Sequence, residues 1–483
     1  MPLIIGAKSA AASTGVANSC RFNEADSAHL SRSASDGSRT TWTISVWVKR
    51  SNLGGQACLF NGYIDDQNET QLLFNTDDIE FYDWTSSSRT GTLLTNRTFR
   101  DPSAWYHIVA VWDTTNATAG NRMRLYVNGV EETSFATDTQ PSLNQDSSLG
   151  NGSYTQQLGL YDSNSNYYFD GYLAEAVFCD GQAYDASDFG EFNEDSPTIW
   201  QPKSADDISE LTFGTNGFYL NFEDSADLGV DVSGNSNDLT EVNLDATDQA
   251  TDTPTNNFCT MNPIVGLQGN PSYTLFSQGN TMVEECAAGT TNEWRAYYGI
   301  MGVSSGKWYW EVECVKSWAA PADTAISQRH GICDVNQLVQ QEDESSTDLS
   351  RAWGWRNPGG YRNNNTDTDD ASYGSYTTGD ILQFALDLDN NKLYFGKDGT
   401  WEDSGDPTSG ATGTGAVSIT AGYTYTPLGE RLYGSDEFSA NFGNPSFTVS
   451  SGNADGKGYG NFEYAPPSGY YALCTKNLGA YGG

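Results

Sequence analysis

Positive charge is scarce in this 483-residue chain: 24 Lys and Arg stand against 63 Asp and Glu, for a net charge of −39. Phosphate backbones are held by clustered cations, so the composition argues against nucleic acid as a partner. An anionic membrane surface would repel the chain for the same reason. Histidine is scarcer still, at His29, His107 and His330. No Ser-His-Asp set, zinc-ligand spacing or phosphate-binding glycine loop occurs, which argues against a nuclease, kinase or metalloprotease. The eight cysteines (Cys20, Cys58, Cys179, Cys259, Cys286, Cys314, Cys333 and Cys474) include no CxxC pair. In a chain this long their even number is no disulfide framework. Contexts such as "AVFCD" and "YALCT" mark them as small buried hydrophobes, suited to a protein made in a reducing cytoplasm. Long apolar runs are absent as well. No stretch approaches the ~18 residues of a membrane span. The opening "MPLIIGAKSAAASTGVANS" lacks the charged start and apolar centre of a signal peptide. The expectation is no membrane insertion and no ordinary secretion.

Helical periodicity is the last absence. No run of about a dozen residues carries apolar positions at i, i+3, i+4 and i+7. What the chain has instead is 50 glycines, 13% aromatic residues and many short alternating runs between Gly, Asn and Asp clusters. That pattern is all-β and sandwich-like. At ~150 residues per domain, two to three domains are expected. "TWTISVWVKR" alternates Trp42, Ile44, Val46 and Val48 with Thr43, Ser45, Trp47 and Lys49. "MRLYVNGVEET" reads as strand, turn, strand about Asn128-Gly129, and "NKLYFGKDGTW" repeats the phrase about Asp398-Gly399. Both turns suit the positive φ of a type I′ hairpin. "DASDFGEF" reads as a short helix starting near Asp185 or Ser187.

Two resemblances follow from these phrases. "WTISVWVKR", "WYHIVAVWDT…RLYVNG" and "FDGYLAEAVFCDGQAY" resemble, in that order, a laminin-G-like domain of the concanavalin type. "GKWYWEVEC", "GICD", "WGW", "GDILQFALDLDNNKLYFGKDGTW" and "EFSANFG" resemble a SPRY domain. The expected fold is therefore all-β, with two jelly-roll sandwiches joined by an irregular connector and few short helices. The expected organisation is an N-terminal docking or oligomerisation segment at 1–17, a laminin-G-like sandwich at 18–193 and a structured connector at 194–280. A SPRY-like sandwich at 281–449 and a C-terminal tail at 450–483 complete it. "DVSGNSND", Asp231 to Asp238, implies that a strand returns to the first sandwich or that a degenerate repeat lies there.

Catalysis has little support. A glycosidase needs two carboxylates at a set separation, and the Glu-x-Asp-x-x-Glu phrase of concanavalin-type enzymes is missing. Glu311 and Glu313 share a face, but the SPRY pattern makes their strand structural. Binding surfaces are easier to name. The SPRY resemblance implies ligand recognition by loops at one end, here Trp353, Trp355, Arg356, Tyr361, Arg362, Asn363 and Tyr373. Aromatic faces would stack on sugar rings, and Asn363, Asn364 and Asn365 would bond hydroxyls. The alternative is that Trp353 or Trp355 lies in the core, with Tyr361 and Arg362 exposed beside glycines. The laminin-G resemblance implies calcium. Oxygen-rich turns offer Asp65, Asp66 and Asn68, then Asp162 and Asn164, then Asp231, Asn235, Asn237 and Asp238. The alternative for each is a solvated turn.

The pairing of a laminin-G-like with a SPRY-like domain, with "RDPSAWYHIVAVWDTT", "DTPTNNFC" and the closing "APPSGYYALCTKNL", resembles structural proteins of marine tailed bacteriophages. The resemblance implies a non-enzymatic virion surface protein, a tail fibre, adhesin or capsid decoration that binds host-surface glycans. Other virion proteins would be its partners, and a homo-oligomer such as a trimer its state. It would assemble in the host cytoplasm and act at the virion surface. A purely architectural virion component is the alternative, and a polysaccharide depolymerase stands behind both.

Overall fold

In the computed structural model, the residues described are 4–5, 15–161, 167–265, 275–284, 295–316, 328–338, 351–364, 366–431 and 436–482. The chain folds as two compact units, Ala12–Asn256 and Asn257–Gly483 together with Met1–Ala11. Both are β-sandwiches, and the helices among the described residues are short.

The N-terminal sandwich packs two eight-stranded sheets. In one, Val130–Glu131, Met123–Val127, Tyr106–Asp113, Thr41–Arg50, Gly171–Asp180, Ser19–Phe22 and Gln249–Ala250 lie side by side, and Phe218–Leu220 pairs with Gly171–Asp180. The other runs Phe135–Thr139, Ser88–Thr98, Asp78–Thr85, Asn68–Asn75, Gln56–Asp65, Tyr154–Leu158, His29–Ala34, Thr240–Val242. Alternation decides which side is core. Leu30, Leu158, Phe60, Leu72, Phe81 and Leu93 stand opposite one another on six neighbouring strands and all face inward. One residue along each strand lie Ser31, Gln157, Asn61, Gln71, Tyr82 and Thr92, again in register. With a side-chain period of two, that second row must point outward. The predicted hairpin is present, with Val127 opposite Val130 and φ of 49° at Asn128 and 79° at Gly129. The expected short helix is a 3₁₀ turn, Ala186–Asp188, with a capping box on Asp185.

The expected connector is corrected here. Its residues up to Asn256 complete the N-terminal sandwich. The outward face of the first sheet is apolar at Val109, Val111, Tyr126, Val177, Cys179 and Tyr219, and Ile208 and Phe213 pack on it. Thr240–Val242 and Gln249–Ala250 return as edge strands. Lys49 Nζ, buried in the sheet, meets Asp252 Oδ2 at 2.6 Å, and Trp105 Nε1 donates to Asp252 Oδ1 at 2.9 Å. The physical reason is cover: an apolar sheet face left bare by a domain ending at residue 193 would need a partner.

The C-terminal sandwich has a nine-stranded sheet built around Lys307–Lys316 and Ile381–Asp387 and a six-stranded sheet built around Gln328–Asp334 and Ala352–Asn357. Trp308, Trp310, Trp353, Trp355, Phe384 and Phe395 fill the space between them. The second phrase forms its hairpin as read, with Lys397 opposite Thr400 and φ of 48° at Asp398 and 81° at Gly399. The C-terminal residues are not a loose tail. Tyr471–Ala472 adds a parallel strand beside Trp308 and Tyr309, and Phe462, Tyr470 and Cys474 pack on Tyr309 and Tyr394. Glu311 fastens them. Its Oε1 accepts from Tyr309 OH at 2.9 Å and Tyr464 N at 2.8 Å, and its Oε2 from Asn441 Nδ2 and Glu463 N, both at 3.0 Å. The seven cysteines among the described residues are buried, and Cys286 lies outside those residues.

Candidate functional site

The loop end of the six-stranded sheet holds a cleft of about 800 Å³. Arg356, Pro358, Gly360, Asp369, Tyr373 and Ser375 are among its lining residues. Gly360 has φ +77°, and a Cβ there would lie 2.3 Å from Thr368 O. Only glycine lets the loop fold this tightly. Arg356 is buried; its Nη2 donates to Thr368 O at 3.1 Å and pairs with the exposed Asp369 carboxylate. Tyr373 packs edge-on to the half-buried Tyr361, with ring centroids 5.0 Å apart.

Of the seven predicted loop residues, Arg356 and Tyr373 line this cleft. Three of the others, Trp353, Trp355 and Arg362, are corrected. Trp353 and Trp355 are both in the core, because residues two apart on a strand share a face. Arg362 is buried rather than exposed, on a strand paired to both neighbours. Asn363 is half-buried at the strand end, Asn364 is exposed in a turn with φ 49°, and Asn365 lies outside the described residues.

Among the described residues, the calcium loops do not close around a cation site. Asp231 Oδ1 accepts from Tyr219 N and Ser233 N, each at 2.9 Å, and its Oδ2 from Ser233 Oγ at 2.9 Å and Asn237 N at 2.8 Å. Asp238 Oδ1 accepts from Asp231 N, and Asn237 Oδ1 takes Arg32 Nη2 at 2.6 Å. The amide nitrogens of Asn235 and Asn237 point at backbone carbonyls. Calcium needs six to eight free oxygens. Here the carboxylate's lone pairs are taken and the positive charge comes from Arg32, so the loop does not fit the ion. Asp65 accepts from Gln67 N and Asn68 Nδ2 in an exposed turn, bonds that hold its carboxyl below the ordinary range, and Asp66 accepts from Tyr63 OH. Asp162 and Asn164 lie outside the described residues. Among the described residues no group of three or more His, Cys, Asp and Glu is arranged to hold a metal.

Ser45 and His107 form a pair that resembles a nucleophile and its base, 2.8 Å apart and buried. The geometry forbids the chemistry. Trp200 Nε1 donates to His107 Nδ1 at 3.0 Å, so the ring proton sits on Nε2 and faces Ser45. A nitrogen carrying its proton cannot take another from serine. Burial also pushes the His107 pKa down to about 3, so the ring stays neutral.

The sequence reading missed the outward face of the second sheet. Glu69, Gln71, Asn61, Gln157 and Tyr82 form a buried polar layer there. Glu69 accepts from Tyr82 OH at 2.9 Å, Gln71 Nε2 at 3.1 Å and Tyr161 OH at 3.4 Å. Burial raises the Glu69 pKa against those bonds. Asn61 Nδ2 donates to Gln157 Oε1 at 2.9 Å. Half-buried Tyr63, Trp84 and Tyr161 rim the layer, and the Arg89 guanidinium lies over the Tyr82 ring at 4.1 Å. The signal was present: "NGY", "ETQ" and "EFYDW" place amides, acids and aromatics at alternate positions on successive strands. Alternation in a jelly roll is easily taken for ordinary solvation.

This layer sits within the stretch that a known family covers. Residues 22–183 match Laminin_G_3, the concanavalin A-like lectin/glucanases superfamily. The lectin-like sandwich extends beyond that match by its return strands. No curated protein matches the chain. Among solved structures, the SPRY domain of human HERC1 is similar at 16% identity over 35% of this chain and 91% of its own, with a TM-score of 0.25. A heptameric SAP-like pentraxin from Limulus polyphemus is similar at 14% identity over 36% and 80%, with a TM-score of 0.26. A putative carbohydrate binding protein from Bacteroides ovatus is similar at 13% over 47% and 60%, with a TM-score of 0.30.

Proposed function

We propose that the protein is a non-catalytic glycan-binding component of a bacteriophage virion surface, attaching the particle to a host-surface glycan. One observation carries the glycan reading: a polar layer of amide, carboxylate and tyrosine groups, rimmed by half-buried aromatics, on the outward sheet of the lectin-like sandwich. Aromatic rims offer apolar faces to sugar rings, and the amides bond hydroxyls. The non-catalytic reading rests on the carboxylates. Glu69 is engaged by Tyr82, Gln71 and Tyr161. Glu80, farther along the same face, is engaged by Arg89 at 2.5 Å and Asn75 at 3.0 Å. Both carboxylates are thus engaged by the protein's own donors, whereas hydrolysis asks for one free to protonate and one free to attack or activate water. The virion setting rests on the phrase-level resemblance to phage structural proteins, and the partners it implies are other virion proteins and further copies of the chain.

The test is retention of the full-length protein on host cells and on a panel of glycans. Trp84→Ala and Tyr63→Ala should each weaken retention at least tenfold with the fold intact. Loss on Arg356→Ala instead would move the site to the cleft of the C-terminal sandwich. Retention on no glycan and no host cell would favour an architectural role.

A further inference from the structure

We infer that the outward face of the Gln56–Asp65, Asn68–Asn75 and Asp78–Thr85 strands takes an uncharged, hydroxyl-rich glycan, with Asn61, Gln71 and Trp84 reading its hydroxyls. This rests on the glycan-binding reading and names its ligand class. The motive is three orphaned atoms on one face. Asn61 Oδ1 and Gln71 Oε1 are buried acceptors without a donor, and Trp84 Nε1 is a buried donor without an acceptor. They are neighbours by register: Asn61 stands opposite Gln71, and Glu69, two residues before Gln71 on the same face, stands opposite Trp84. Asn61 is 0% and Gln71 1% exposed. Each unsatisfied group costs stability, because it gives up its bonds to water and gains none in return. A fold bears such costs close together where something else satisfies them.

The orphans are of both kinds, and a hydroxyl both donates and accepts. One class of group therefore satisfies all three atoms. Sugars carry hydroxyls on a ring whose apolar faces suit the half-buried Tyr63 and Tyr161. A carboxylate or sulfate would add only acceptors. The field also opposes anions. Asp65, Asp66, Glu69 and Glu80 bring four carboxylates, and the cation beside them, Arg89, is already paired with Glu80 and laid on Tyr82. An acidic chain would meet net repulsion. Neither amide oxygen touches solvent in this structure. A hydroxyl reaches them only when side chains that border the layer move aside.

The experiment is a retention assay of the full-length protein on neutral polysaccharides (cellulose, xylan, mannan, laminarin) and on acidic ones (polygalacturonate, alginate, heparin). The variants are Trp84→Phe and Gln71→Met, each followed by thermal unfolding. Trp84→Phe removes an N–H that bonds nothing in the free protein, so its melting temperature should hold. The expected result is binding to at least one neutral polymer, with a tenfold or greater loss in both variants. Unchanged binding in folded Trp84→Phe overturns the assignment. Preference for the acidic polymers overturns the inference and leaves glycan binding standing. Retention on no polymer overturns the glycan reading itself, and this inference with it.

Discussion

Single residues carry much of the N-terminal sandwich's stability because several of its charges are inside. Lys49 and Asp252 are 1% and 0% exposed at the side chain, and their 2.6 Å contact joins a central strand to the returning segment. Removing one partner strands the other charge away from water. Asp252→Ala should therefore destabilise by about 3–5 kcal/mol, read by chemical denaturation. Lys49→Met with Asp252→Leu should recover part of that loss, since no charge is then stranded, while the Trp105 indole loses its acceptor. Gly129 is sensitive for another reason. Its φ is +79°, and a Cβ would come within 2.3 Å of the Trp200 ring. Gly129→Ala strains the turn and displaces the indole that bonds His107, at a cost of about 1–3 kcal/mol. A loss below the low end of that range would show that the ring yields freely.

At the scale of strands and turns, local chemistry was legible and long-range completion was not. Asn128-Gly129 and Asp398-Gly399 declare their hairpins because positive φ is a property of the residues themselves. The alternation of Trp42, Ile44, Val46 and Val48 declares an inward face in the same way. "DVSGNSND" left a strand returning to the first sandwich as one of two readings, but Thr240–Val242 itself does not declare its partner His29–Ala34, since a three-residue edge strand is short and polar. The same holds for Tyr471–Ala472 beside Lys307–Lys316. Site residues escape for a related reason. Trp353 and Trp355 look like a binding pair, yet two aromatics at i and i+2 share a face, and in a sandwich that face is core. Asn61, Glu69, Gln71 and Tyr82 are separate residues in the sequence and become a layer only through register across neighbouring strands. The corrected boundary is testable. A chain of residues 12–193 bares the apolar face at Val109, Val111 and Val177, whereas residues 12–256 keep its cover. The longer piece should be soluble with a cooperative thermal transition, and the shorter one should aggregate. For the C-terminal residues, Glu311→Ala leaves four donors facing a void. Limited proteolysis should then cut between residues 450 and 470 at least ten times faster than in the parent.

Across the whole molecule, each sandwich buries a histidine and a glutamate that respond to pH in opposite senses. Burial lowers His107 and His330 from 6.5 to about 3, and raises Glu175 and Glu311 from 4.5 to about 7. For the histidines, the unfolded chain binds protons below about pH 6.5 that the folded chain refuses. Their contribution is whole above 6.5 and is lost as pH falls toward 3. For the glutamates, the folded chain binds more protons between about 4.5 and 7. Their contribution is whole below 4.5 and is lost as pH rises toward 7. The two slopes oppose each other between about pH 4.5 and 6.5, so the four groups together should leave stability nearly flat there. His107→Gln keeps an acceptor for Trp200 and a donor for Ser45 but cannot titrate. In that variant the Glu175 slope stands uncovered, and the melting temperature of the N-terminal sandwich should fall steadily as pH rises from 4.5 to 6.5. Tryptophan fluorescence against temperature at half-unit pH steps would read it. A variant profile parallel to the parent's would mean that His107 and Glu175 do not set the pH response of this sandwich.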